Sequence, residues 1–391
     1  MQLKNDRPLR HTDQGPTVFQ PTRLLFSALL ALAPLGAATA SAQDAAGPRY
    51  TVTEIKAGTP AYVSVTSMND LGEVVGDISD GRGGYHAFIW SPTTALRLLP
   101  PPKGATQTWA SDINNSGQVA GSATVGEERH AFVYRDGVTT SLGTLGRSVD
   151  VRSINASGML AGSLPNEHGQ RTPFIYDGTS VRSLGLLPEF IRGEAVAIND
   201  RGQAVGSLGY ESGPDSPMYY SDGQMNLLKG PNGEIIGSAS DINEAGQVAL
   251  WYGTLGDMDM HAAIWDAENG TVAIPLPENS DYWWSTPVAM NDAGDVLGRL
   301  FGRDVDARHF AYVDGETFEL YTRLVPGMQE KWNIVSAHDI NNRGQILVGA
   351  QLRGTDQYAA LLLTPVPEPH TVALVFVGLG ALAWRARVRR P

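Results

Sequence analysis

The sequence predicts an all-β fold. It reads as a seven-bladed β-propeller of four-stranded antiparallel blades, closed by an N-terminal strand, with an apolar segment outside the ring at each end. Three observations predict it. A pattern, Ile/Met-Asn-x-x-Gly, recurs seven times at intervals of 45, 41, 44, 44, 48 and 50 residues, a period that belongs to repeat architectures. Short runs rich in β-branched and aromatic residues follow each copy, separated by turn residues. Composition agrees: 42% hydrophobic and 18% charged residues with 44 Gly in 391 favour short strands over long solvated helices.

The first element is residues 1–42. Arg23 leads an apolar run from Leu24 to Ala33, and Ala40-Ser41-Ala42 supplies a small-residue exit. That order describes a secretory signal peptide cleaved before Gln43. The chain has no Cys, so disulfides, thiolate metal sites and Cys nucleophiles are all excluded, and stability outside the cytoplasm must come from packing.

The second element, residues 43–365, is the ring. Tyr50 to Ile55 is an orphan strand ahead of the first repeat. The repeat turns are Asn69 with Gly72, Asn114 with Gly117, Asn155 with Gly158, Asn199 with Gly202, Asn243 with Gly246, Asn291 with Gly294, and Asn341 with Gly344. Asn bonds its own backbone two residues on, and Gly three positions later supplies the left-handed conformation that closes a hairpin. A calcium loop would need carboxylates at alternating positions, and Asn114-Asn115-Ser116-Gly117 has none. After each turn come a second strand, a variable loop, a third strand such as His130-Ala131-Phe132-Val133-Tyr134, an Asp-Gly type turn and a fourth strand. Four strands per repeat of this length is a propeller blade. The seventh repeat lacks its fourth strand, and the orphan strand has the length and pattern to replace it, leaving no exposed repeat end. A linear β-solenoid, the competing fold, would need caps. The His-Ala-Phe strand together with Ile-Asn-x-x-Gly resembles the HAF-repeat family of bacterial extracellular proteins, a likeness that implies no established activity.

The last element, residues 366–391, begins with Pro367, Glu368 and Pro369. An apolar run from Thr371 to Trp384 follows, and then Arg385, Arg387, Arg389 and Arg390. At about 1.5 Å per residue the run makes a single helix some ~21 Å long, short of the ~30 Å hydrocarbon layer, and its arginines would stay cytoplasmic. These three parts resemble the PEP-CTERM sorting signal of Gram-negative bacteria. The resemblance implies export, transient anchoring in the inner membrane through the C-terminal segment, and exosortase as processing partner at the cell surface or matrix.

Charge restricts the partners. The formal charge is −12; removing the leader, with two net positive charges, and the four tail arginines leaves −18. So acidic a body disfavours nucleic acid and anionic lipid. If the orphan strand is outermost, the strands ending in Ile-Asn are innermost, the Asn-x-x-Gly and Asp-Gly turns share one face, and the longer, more varied loops share the other. That loop face is the candidate ligand surface. It carries Tyr62, Trp109, Phe190, Tyr282, Trp283, Trp284 and Trp332, whose spacing to the next repeat Asn varies (5 for Trp109, 7 for Trp284, 9 for Trp332), unlike a packing position. Aromatic faces beside Arg129, Arg171, Asp259 and Arg308 suit sugar binding. His86, His130, His261 and His309 share a repeat position, too far apart on separate blades to bind one metal. G-x-S-x-G, HExxH and Walker patterns are missing. The expectation is therefore a non-catalytic binding or scaffolding propeller, not an enzyme, without cofactor or metal, associated with exopolysaccharide or biofilm. A secreted polysaccharide hydrolase and a purely structural surface protein are the alternatives.

Overall fold

The computed structural model describes residues 47–57, 62–146, 148–254, 259–278, 280–303 and 307–366. The segment 1–42 read as a signal peptide, Pro367, Glu368, Pro369, the apolar run and the tail arginines Arg385, Arg387, Arg389 and Arg390 lie outside the described residues.

Seven four-stranded antiparallel sheets form. Six are continuous in sequence, over residues 63–98, 105–143, 150–183, 192–227, 236–273 and 284–319, and are numbered blades one to six. In blade seven the inner, second and third strands are Trp332–Ile340, Ile346–Leu352 and Tyr358–Val366, and the outer strand is Arg49–Ile55 from the other end of the chain. The expected closure is thus present. Arg49 pairs with Val366 and the register runs to Ile55 with Ala360. Tyr50 is fully buried, and its carbonyl accepts the Val325 N–H at 2.9 Å, so even this outermost strand is held on its far edge. Two short helices in the link from blade six to seven, Leu320–Arg323 and Met328–Lys331, are, among the described residues, the one departure from an all-strand reading of the ring.

Second strands are buried almost end to end, as in Val119-Ala120-Gly121-Ser122-Ala123, because neighbouring blades cover both of their faces. Their third residue explains the repeat's Phe. Gly121 faces Phe132, Gly162 faces Phe174 and Gly298 faces Phe310. A Cβ on Gly121 would meet the Phe132 ring at 2.7 Å and collide with the Trp109 carbonyl. Where the Gly is missing the partner shrinks, Leu250 facing Ala263. The pair conserves volume, as a close-packed interior requires.

Every inner strand carries a β-bulge near its end, seen as a register shift just before Ser67, Asp112, Ser153, Ala197, Asp241, Ala289 and Asp339. A bulge inserts one residue and re-aims its successors. In five blades it delivers the residue two before the repeat Asn, Ser67, Asp112, Ser153, Asp241 or Asp339, to the axial cavity; Ala197 and Ala289 pack in the core instead.

Candidate functional site

The ring has two ends, and the chain builds them differently. At the end where inner strands stop, each repeat Asn closes its own turn: Gly117 N–H donates to the Asn114 carbonyl at 2.9 Å with Gly117 at φ +72°, and Asn114 Oδ1 accepts from Ser116 and Gln118 N–H, each at 3.0 Å. The side chain does a second thing that its motif does not reveal. Asn69 Nδ2 donates to the Asn114 carbonyl, Asn114 to Asn155, Asn155 to Asn199, Asn199 to Asn243, Asn243 to Asn291, Asn291 to Asn341, and Asn341 back to Asn69, all at 2.9–3.2 Å. Seven buried side-chain bonds encircle the axis and tie each blade to the next. A parallel ring joins the residues that follow: Asp70 N–H to Asn115 Oδ1, Ala156 to Asp200, Asp200 to Glu244, Glu244 to Asp292, Asp292 to Asn342, and Asn342 to Asp70. It is broken between Asn115 and Ala156, whose methyl cannot accept.

Inside this double ring lies an axial cavity of about 240 Å³ whose lining includes seven carboxylates, three of them, Asp112, Asp241 and Asp339, carried by the inner strands. Asp112 takes Ser67 Oγ–H (2.7 Å) and Ser153 Oγ–H (3.0 Å) from the blades on either side, plus the N–H of Ile113 and Ile154. Asp339 takes Met68 N–H at 2.8 Å across the closing joint, and Asp241 takes Met290 N–H at 2.8 Å. Burial pushes Asp241 up to about 8 and Asp339 up to about 7; bonds from backbone N–H groups oppose the rise, and the other cavity carboxylates add to it. Asp112 moves up for the same first reason. These groups span blade boundaries, so the cavity is part of the ring's fastening. Among the described residues no group of three His, Asp or Glu is arranged to hold a metal ion.

The opposite, loop face sorts the seven candidate aromatics. Phe190 and Trp332 are withdrawn from it: they are 9% and 3% exposed and pack in the cores of blades four and seven. Trp332 stands nine residues before its Asn because it opens blade seven's inner strand, opposite Leu352, so an uneven spacing did not mean an unburied side chain. Tyr282 is half-buried against the core of blade six, with Glu319 and Arg308 beside its hydroxyl. The other four reach solvent. Tyr62 is 62% exposed. Trp109 lies 6.0 Å from the Tyr85 ring with the Arg129 guanidinium 4.9 Å above it. Trp283, 50% exposed, is 6.3 Å from Trp284 and carries Arg303 at 4.8 Å. The structure therefore gathers two aromatic–guanidinium clusters, at the junction of blades one and two and on blade six. Tyr85 and Arg303 were missed in the sequence because neither belongs to a link between blades.

The histidines do not share one position. His86, His130 and His261 pair with Ile78, Ala123 and Tyr252, each two residues past the Gly or Leu of the second strand, whereas His309 pairs with Arg299, one residue past Gly298. One register step turns His309 to the other face of its sheet. It is buried there, and burial, with Arg299 nearby, lowers its pKa to about 4.

Residues 365–390 match the PEP-CTERM protein-sorting motif, a substrate signal for exosortase that marks export and sorting to the envelope in Gram-negative bacteria. No curated protein matches the chain. Among solved structures, the β-propeller domain of the Trilobed protease from Pyrococcus furiosus, described as having an open velcro topology, is similar at TM-score 0.54 and 14% identity, over 79% of this chain and 94% of that one. TolB from Acinetobacter baumannii is similar at TM-score 0.42 and 11% identity over 76% of this chain, which spans 64% of TolB's length. At such identities the shared feature is the fold.

Proposed function

We propose that the chain is a non-catalytic binding or scaffolding propeller of the cell surface or matrix, and that its loop face binds extracellular polysaccharide. The observation that supports this most is the blade-six cluster, in which the exposed Trp283 ring, Trp284 and the Arg303 guanidinium offer a stacking surface beside a charged donor. The exit of the chain agrees with it. Blade seven's third strand ends at Val366, at the Asn-turn end and one residue before the Pro-Glu-Pro motif, so a tether there turns the loop face away from the envelope. Transient inner-membrane anchoring and the likeness to HAF-repeat proteins belong to the same reading.

Affinity electrophoresis through gels cast with acidic or neutral polysaccharide tests it. Retardation of the wild-type protein, reduced in Trp283→Ala with an unchanged melting curve, is expected; equal mobility in every gel would sink the proposal. A polysaccharide hydrolase is the second reading, because Asp241 and Asp339 retain protons near neutral pH, as a general acid does. Release of reducing ends, abolished by Asp339→Asn, would put it first.

A further inference from the structure

At two blade junctions on the rim of the ring an arginine packs across onto a tyrosine of the next blade. From the outer strand of blade one, Arg97 donates to Tyr134 Oη of blade two at 2.7 Å and lies 5.5 Å over its ring. From blade three, Arg182 lies 5.2 Å over Tyr220 of blade four. Register gives the equivalents at the next junction. Arg97 pairs with Ile89 and Arg182 with Ile175, but in blade four Asn226 pairs with Tyr219. Trp265 of blade five pairs with Val248 as Tyr134 pairs with Val119 and Tyr220 with Ala204. Between blades four and five, then, the filling guanidinium is replaced by a short amide and the aliphatic beneath it by a second aromatic.

The crevice there stays open, with a volume of about 540 Å³, within the range of small-molecule sites. Tyr219 and Trp265, both half-buried, form one wall with ring centroids 5.0 Å apart and planes at 51°. Tyr219 Oη accepts Gln203 Nε2–H at 2.6 Å, and among the described residues no acceptor takes its own proton. Asn226 and Asn269 bring amides, and Lys229 an ammonium that forms no salt bridge among the described residues. Thr271 Oγ–H donates to the Lys229 carbonyl, which pins the two blades together across the groove.

We propose that this groove binds one pyranose residue of a polysaccharide, with Lys229 favouring a uronic acid over a neutral sugar. An aromatic wall meets the C–H face of the ring, and the amides and the free phenol proton meet its hydroxyls. The proposal rests on the carbohydrate reading above but places a second site on the rim, away from Trp283.

Isothermal titration of the full chain with an alginate tetrasaccharide and with cellotetraose tests it. The alginate fragment is expected to bind more tightly. Asn226→Arg, which introduces the arginine found at the two filled junctions, should weaken binding of both fragments by about tenfold or more without lowering the melting temperature, and Lys229→Gln should remove the preference for alginate. An affinity unchanged in Asn226→Arg, or an alginate preference that survives Lys229→Gln, overturns the proposal, as does no binding of either fragment. Binding lost in Trp283→Ala but kept in Asn226→Arg overturns the groove while leaving the loop-face reading standing.

Discussion

Asn199 and Asn166 make the same turn at opposite ends of the ring. In both, Oδ1 accepts the N–H groups two and four residues on (Arg201 and Gln203; His168 and Gln170), and Nδ2 donates to the Gln four residues on. The Gly three residues on is left-handed in both, at +71° and +78°. One bond separates them: Asn199 also donates to the Asn243 carbonyl of the next blade. Asn166 closes a loop-face hairpin and, among the described residues, makes no hydrogen bond beyond it. The same five-residue chemistry is thus a local turn at one end and a ring fastener at the other. The Asn-turn end repeats because each blade must present the same donor and carbonyl to its neighbours. No such constraint acts on the loop end, which is free to diverge and to hold a binding surface.

The largest test falls on the joint that both ends share. Deleting residues 49–55 strips blade seven of its outer strand and removes buried Tyr50 and Ile55. At roughly 1.5–3 kcal/mol per buried side chain the loss is about 5 kcal/mol. Urea denaturation should show one transition, shifted as a whole; a ring that merely frays at blade seven would instead lose only part of the signal. Next is the comparison of the two asparagines. Asn166→Ala should cost ~1–2 kcal/mol and Asn199→Ala about 1–2 kcal/mol more, since the second also leaves a buried carbonyl without its donor. Equal costs in the same assay would mean that the inter-blade bond contributes nothing.

Blade number, strand order and closure were legible in the sequence because each is a local pattern repeated at a fixed period. The Asn ring was not, because a side chain that bonds its own turn and one that also bonds the next repeat are spelled alike. The aspartates at positions 112, 241 and 339 were hidden for a related reason: the bulge that turns them inward leaves no residue signature. Half of the candidate face was legible. Trp283 and Trp109 lie in exposed clusters, whereas Phe190 and Trp332 were misplaced because strand and link lengths change spacing without changing burial. The rim groove needed register, since Asn226 stands out only once it is aligned with Arg97 and Arg182.

A smaller effect should separate the ends by pH. Asp241 and Asp339 have folded-state values of about 8 and about 7, above the ordinary carboxylate value near 4. The folded ring therefore holds protons that the unfolded chain has lost, and stability falls as pH rises from about 4 through 8. His309 and His338, both lowered to about 4 by burial, act the other way, so that their contribution grows as pH rises toward about 6.5 and is then complete. Above that the aspartates act without them. The decline in urea midpoint between pH 6.5 and 8 should flatten in Asp241→Asn; an unchanged slope would show that the carboxylate titrates elsewhere.

The smallest effect on stability is expected where the binding surface is proposed. Trp283 is half exposed, and its contacts, Trp284 and Arg303, lie on the same blade, so Trp283→Ala removes no inter-blade bond and should cost no more than about 0.5 kcal/mol. A core aromatic of the same link class, Trp332, gives the contrast: Trp332→Ala removes a 3%-exposed side chain from the blade-seven core and should cost ~3–5 kcal/mol. If both were neutral, or both severe, the division between a fastened core and a free loop face would fail for these residues. If only Trp332→Ala is severe while only Trp283→Ala reduces retention in polysaccharide gels, then exposure, not position in the link, decides which aromatics are available to a ligand.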